Sequence, residues 1–203
     1  MIRCKRLVII ALAIGCSAAA FAQSAKNVVD KVISTYQGSK GVSANYVVAS
    51  RQGSTRGGIV MQGMKFRILS ADLKSWFDGK TQWTYSSASG EVNISTPTKA
   101  ELQMSNPYIA IMELKNSSKM TLAKKSSAYE VTLVPNHRGN IKSVALTVSK
   151  SGYQIQKVVF VMTDKSTYTT TISNYSTGKN FPASTFVFNK KLVPNGTQVV
   201  DLR

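Results

Sequence analysis

Cysteine is nearly absent: Cys4 and Cys16 are the only two in 203 residues, and both sit near the start. Once that segment is removed the chain has no thiol, which excludes a disulfide framework and any cysteine-based metal site. Histidine is scarcer still. His137 stands alone in Pro135-Asn136-His137-Arg138-Gly139, with no nucleophile or orienting carboxylate beside it in sequence, so it reads as a turn residue and not as a general base. Acidic residues number 9 against 26 Lys and Arg, and they are dispersed. Asp78 is accounted for by a turn and Glu101 by a helix cap, and no metal-ligand spacing is present. There is no phosphate loop and no Gly-x-Ser-x-Gly elbow. The expectation is a protein without catalytic residues, metal or cofactor.

Long apolar runs are missing beyond the first turns of the chain. Arg3, Lys5 and Arg6 precede an apolar stretch from Leu7 to Ala20, and Ala20-Phe21-Ala22 has the small residues of a cleavage site. The stretch is too short to favour a membrane-spanning helix, which needs about 18 or more apolar residues. Residues 1–22 therefore read as a signal peptide and 23–203 as one domain. Ala13-Ile14-Gly15-Cys16 offers a second reading, a lipoprotein box lipidated at Cys16, although its first position is not Leu and the downstream site is better formed.

The leader carries three of the cations and none of the carboxylates, so removing it lowers the formal charge from +17 to about +14. A surface of that sign attracts anions. The cations are scattered, with only Lys124-Lys125 and Lys190-Lys191 paired, which describes a solvated basic face. An exported chain makes nucleic acid an improbable partner and an anionic membrane surface a possible one.

Short segments rich in Val, Ile, Thr, Tyr and Phe recur between turn residues about every ten positions, the pattern of an all-β sandwich or barrel. The strands expected are 42–51, 57–63, 64–70, 73–77, 81–86, 91–95, 120–124, 129–135, 141–149, 154–162, 166–175, 186–188 and 197–202. Helices interrupt them. Ser24 is placed to cap one whose Val28, Val29, Val32, Ile33 and Tyr36 form a stripe. Thr98-Lys99-Ala100-Glu101 has the form of a capping box, and Asn106-Pro107 sets a cap before a proline at the first helical position. Tyr108, Ile109, Ile111, Met112 and Leu114 make that second region apolar on too many sides for a surface helix, so it is expected to pack under or plug a curved sheet.

Asp78-Gly79 between Ser75-Trp76-Phe77 and Thr81-Gln82-Trp83-Thr84-Tyr85 is a strong hairpin signal. With Asp78 and Gly79 as the centre of a two-residue type I′ turn, Phe77 pairs with Lys80 and Trp76 with Thr81. Trp76, Thr81, Trp83 and Tyr85 then share one face. Alternation likewise puts Ile59 with Met61, Phe66 with Ile68, and Val92 with Ile94. Such a set suits a filled core or a ligand cavity, and pattern alone does not separate a filled barrel from a hollow one.

The run Asp78-Gly79-Lys80-Thr81-Gln82-Trp83-Thr84-Tyr85 resembles the D-G-K-T-x-W-x-Y hairpin of the LolA-like family, the periplasmic outer-membrane lipoprotein carriers. Ser43-Ala44-Asn45-Tyr46, Lys65-Phe66-Arg67, Asn106-Pro107-Tyr108, the segment Tyr129 to Pro135 and the ending Gly196 to Arg203 extend the resemblance in order along the chain. It implies a mainly β fold, an incomplete, half-open antiparallel β-barrel whose hydrophobic concavity is covered by short helices. It also implies a soluble periplasmic carrier that binds the acyl chains of lipid-modified proteins, served by an inner-membrane release complex and an outer-membrane acceptor. The alternative, if Cys16 is lipidated, is a membrane-anchored lipid or lipoprotein receptor of the same fold. Tyr46, Ile59, Met61, Phe66, Ile68, Trp76, Trp83, Tyr85, Val92, Ile94, Tyr108, Ile109 and Met112 are the residues expected to line the concavity. One departure stands out: where well-studied proteobacterial members of the family have an arginine in a Lys-Arg-Pro turn between the second and third strands that tethers the helical lid, this chain has Gln62-Gly63-Met64, with no cation.

Overall fold

Side chains alternate between the two faces of a strand, and in the strand Ile141–Ser149 one face is buried: Val144, Leu146 and Val148 are buried while the residues between them are partly exposed. The computed structural model describes residues 25–137 and 139–203. The leader with its cleavage site, both cysteines, the capping Ser24 and Arg138 lie outside the described residues.

Helix α1 (25–38) leads into β1 (Val42–Ser50), β2 (Gly53–Gln62), β3 (Lys65–Ser70), β4 (Leu73–Phe77), β5 (Gln82–Ser86) and β6 (Glu91–Ser95). Helices α2 (Lys99–Ser105) and α3 (Pro107–Leu114) follow, then β7 (Ser118–Lys124), β8 (Ala128–Pro135), β9 (Ile141–Ser149), β10 (Ile155–Met162) and β11 (Thr167–Thr177). Two 3₁₀ turns, Ala183–Phe186 and Lys190–Leu192, precede the last strand, β12 (Gln198–Asp201). The twelve strands among the described residues form one sheet, in the order β12-β6-β5-β4-β3-β2-β1-β11-β10-β9-β8-β7. Every pairing is antiparallel except that of β12 with β6, and β12 and β7 remain as unjoined edges. This is the half-open barrel that was expected.

The helices form for the reasons legible in the sequence. Val28, Val29, Val32, Ile33 and Tyr36 are all buried on one side of α1. Thr98 and Glu101 complete a reciprocal capping box on α2. Asn106 Oδ1 accepts from Tyr108 N at 3.0 Å, with Pro107 at the first turn of α3. Four consecutive residues of α3, Tyr108 to Ile111, are buried, as befits a helix enclosed on several sides. α1 and α3 share one core with the inward residues of β8 to β10, among them Val131, Leu133, Val144, Leu146 and Val158.

Three details differ from the sequence reading. The β4–β5 loop spans four residues, because Asp78 Oδ1 accepts from the backbone N–H of both Lys80 and Thr81 at 2.8 Å and fixes a wider turn. Only Gly79 has positive φ there, at 105°, whereas a type I′ turn needs two such residues. The pairing becomes Phe77 with Gln82 and Trp76 with Trp83, a shift that preserves side-chain parity, so the two tryptophans still share a face. Second, β2 begins four residues early, with Ser54 to Arg56 pairing to β1. Third, no strand forms at 186–188. Pro182 leads into a 3₁₀ turn, and Phe186 is buried edge-on to Phe181, anchoring a strap that crosses the outer side of the sheet.

Candidate functional site

The inner face of the sheet is a row of cross-strand neighbours. Ala44 lies opposite Ile59 and Ile59 opposite Ile68, while Tyr46 lies opposite Ile172 and Val48 opposite Thr170. Over this row the junction of α2 and α3 presents Ser105, Pro107 and Tyr108, and a cavity of about 360 Å³ remains between the two layers. Its walls are chiefly aliphatic, from β1, β2, β3, β4, β10 and β11, and among the described residues no Asp, Glu, Lys, Arg or His lines it. The cavity exists partly because of a glycine. A Cβ at Gly57 would run into the Leu69 carbonyl oxygen and stand 2.6 Å from Tyr46 Oη, so only glycine lets the Tyr46 ring lie across β2.

Tyrosines join the cover to the wall. The rings of Tyr36 and Tyr108 stack with centroids 4.0 Å apart, Tyr108 and Tyr175 share a hydroxyl hydrogen bond of 2.9 Å, and Tyr36 donates to the Gly63 carbonyl at 2.5 Å. Burial pushes the Tyr36 hydroxyl up to about 12, partly offset by the nearby Asn106 side chain. Asn106 itself is fully buried, and among the described residues its Nδ2 has no partner at hydrogen-bond geometry. Tyr108 is raised well above its ordinary value, first by burial and then by Tyr175. Burial also raises Tyr46 and Tyr175, with Ser70 and Tyr108 respectively working against it. All four hydroxyls are therefore neutral at ordinary pH, and the cavity is uncharged.

Of the residues expected at this concavity, Tyr46, Ile59, Met61, Ile68 and Tyr108 line it. Phe66 is on the inner face opposite Met61 and Phe77 but is sealed in the core. Ile109 is buried within α3, and Met112 packs at the core margin against Gln37.

Trp76, Trp83, Tyr85, Val92 and Ile94 require correction. β3 fixes the faces: Phe66 and Ile68 pair with Phe77 and Ser75, so the inner side of β4 is Leu73, Ser75 and Phe77, and Trp76 points outward. Pairing carries Trp83, Tyr85, Val92 and Ile94 to the outer side with it. There Trp76, Tyr85 and Val92 form a second apolar cluster with Phe188, Leu192 and Val193 of the strap. Among the described residues no group of His, Cys, Asp or Glu could hold a metal ion.

Sequence reasoning missed the far wall. Val158 and Phe160 on β10 and Thr170 and Ile172 on β11 line the cavity, and their period-two spacing was the available signal; what was lacking was the knowledge that β11 pairs with β1.

Several solved structures resemble this chain. An uncharacterized conserved protein from Thermus thermophilus superposes with a TM-score of 0.60 at 13% identity, covering 88% of this chain and 99% of that one. MucB superposes with a TM-score of 0.50 at 11% identity over 83% of this chain, which spans 64% of the MucB chain. The LolA superfamily protein NE2245 from Nitrosomonas europaea gives a TM-score of 0.43 at 11% identity, over 83% and 98% of the two chains. No curated protein matches the chain in sequence. The family described as outer membrane lipoprotein carrier protein LolA matches residues 16–175, most of the chain's length, and the chain belongs to that family.

Proposed function

We propose that the chain is a periplasmic carrier that takes an acyl chain of a lipid-modified protein into the cavity under α2 and α3, and delivers it without catalysis. In this reading residues 1–22 are an export leader and 23–203 the carrier domain, charged at an inner-membrane complex and discharged to an outer-membrane acceptor. The observation that carries it is the covered, uncharged cavity of about 360 Å³ lined by Tyr46, Ile59, Met61, Ile68 and Tyr108. That volume lies near the low end of the roughly 300–1,000 Å³ typical of small-molecule sites, which suits one chain in the closed arrangement. Among the described residues no helix is long and apolar enough to cross a membrane.

Burying an acyl chain gains about 0.8 kcal/mol per methylene, so fifteen approach ~12 kcal/mol, and a rigid pocket would release such a cargo very slowly. A cover that gives up contacts on loading lowers the net affinity. The Tyr36–Tyr108 stack and the Tyr108–Tyr175 hydrogen bond are contacts of that kind. Tyr36 also holds Gly63 of the very turn that lacks the family's arginine, so tyrosines take over the tether.

The test is exchange of a fluorescent fatty-acyl probe with α3 locked to the sheet or left free by an engineered disulfide. Exchange should slow strongly when locked; equal rates would overturn the proposal. Intact-mass analysis of the exported protein separates the anchored alternative, since an acylated N-terminal Cys16 would make it a receptor and not a soluble carrier.

A further inference from the structure

The outer side of β1–β4 differs in kind from the cavity wall behind it. Register places Ser43, Asn45, Arg56, Gly58, Val60, Lys65, Arg67, Leu69, Lys74 and Trp76 on that side. Its charged members, Arg56, Lys65, Arg67 and Lys74, are all cations, and β1–β4 contain no Asp or Glu. Among the described residues none of the four takes part in an ion pair. Lys74 lies over the Tyr85 ring.

A cleft of about 190 Å³ opens on this side, with Ser43, Asn45, Gly58, Arg67, Leu69 and Asn174 in its lining. Gly58 makes the dent: a Cβ added there would meet only Ala44 O, at 4.0 Å, so its missing side chain leaves open space between its cross-strand neighbours Asn45 and Leu69. Asn174 enters from β11 at φ 51°, beside the irregularity in the β1–β11 register. Arg67 Nε is buried and, among the described residues, has no hydrogen-bond partner. A buried N–H left unmade costs about 1–3 kcal/mol, and a guanidinium is satisfied best by a planar or tetrahedral oxyanion that takes two of its N–H groups at once.

We propose that this cleft binds a small oxyanion, a carboxylate or a phosphate group, held by the Arg67 guanidinium with the side-chain amides of Asn45 and Asn174 and the hydroxyl of Ser43 as further donors. The site is independent of the cavity's cargo. Glycine supplies the room, arginine the charge, and the absence of carboxylates on four successive strands removes competing intramolecular partners.

The experiment is a titration of the ¹⁵N-labelled protein with sodium acetate and, separately, sodium phosphate at constant ionic strength, with sodium chloride as the third arm, following the Arg67 Nε–H and the Asn45 and Asn174 amide resonances. Saturable shifts of these groups are expected with acetate, phosphate or both, and a response to one alone identifies carboxylate or phosphate as the ligand class. Arg67→Lys keeps the charge but loses the fork, and should weaken binding at least tenfold. Should that variant fold poorly, Asn45→Ala and Asn174→Ala serve instead, each weakening binding several-fold, while Lys119→Ala on the far edge leaves it unchanged. Shifts that rise linearly and equally with chloride, or binding indifferent to all three cleft substitutions, would overturn the proposal.

Discussion

Two apolar surfaces lie back to back on the first half of the sheet. The outer one holds Trp76, Tyr85 and Val92, closed by Phe188, Leu192 and Val193, with Trp76 edge-on to Phe188 at 5.4 Å. Trp76 and Val92 have no exposure at all. The inner one is lined by smaller residues, such as Ala44, Ile59 and Ile68, under helix ends that present Ser105 and Pro107, and leaves about 360 Å³ unfilled. Size of the apolar residues did not mark the candidate site. Large rings met by a dedicated strap make a dry core, whereas aliphatic side chains under a loosely fitted cover leave a cavity.

The comparison breaks most sharply at Trp76. Trp76→Ala should destabilise the fold by about 3–5 kcal/mol, read in urea unfolding, yet leave acyl-probe affinity of the remaining folded protein nearly unchanged. A large affinity loss in folded protein would mean that the two surfaces are coupled. Ile59→Glu is the converse: an unpaired charge in the cavity should weaken probe binding by roughly a hundredfold or more, with circular dichroism confirming the fold. Folded protein binding at wild-type affinity would place the ligand elsewhere.

A smaller effect is expected from Tyr108→Phe, which removes the hydroxyl that meets Tyr175 while keeping the stack on Tyr36. Stability should fall by about 1 kcal/mol, and probe exchange should speed up, measured by stopped-flow fluorescence. Alkaline pH tests the same network. The Tyr36 hydroxyl is raised from 10.0 to about 12 in the folded protein, so the folded state holds its proton more tightly than the unfolded chain does. The stabilisation is complete below pH 10 and is lost as pH rises through about 12. Tyr36→Phe should therefore flatten the alkaline fall in urea midpoint relative to wild type; parallel curves would refute the linkage. The smallest effect concerns fluorescence. With Trp76 and Trp83 both on the outer side, acyl loading should leave tryptophan emission almost unchanged, and a large shift on loading would show that the cargo reaches the strap.

Legibility followed locality. The capping residues Thr98, Glu101 and Asn106 and the α1 stripe were readable because each involves neighbours within one or two helical turns. The shared face of Trp76 and Trp83 was readable too, since strand parity survives a two-residue change in pairing. Which side of the sheet that face occupies was not readable: β4 alternates Leu73-Lys74-Ser75-Trp76-Phe77, with apolar residues at both parities, and only pairing to Phe66 and Ile68 of β3 decides it. Phe186 and Phe188 resembled a strand in composition but serve as plugs in an irregular strap.

The sequence alone determined most of the strands, the helix caps, the charge balance and the scarcity of groups for catalysis, because these depend on residue type and short-range spacing. Tertiary structure decided the rest. The pairing of β1 with β11 brings Tyr46 and Val48 beside Ile172 and Thr170, residues far apart along the chain, and the strap seals one face while α2 and α3 only roof the other. A cavity is a deficit of packing between distant segments, and no local pattern encodes how completely two surfaces that meet only on folding will fill the space between them.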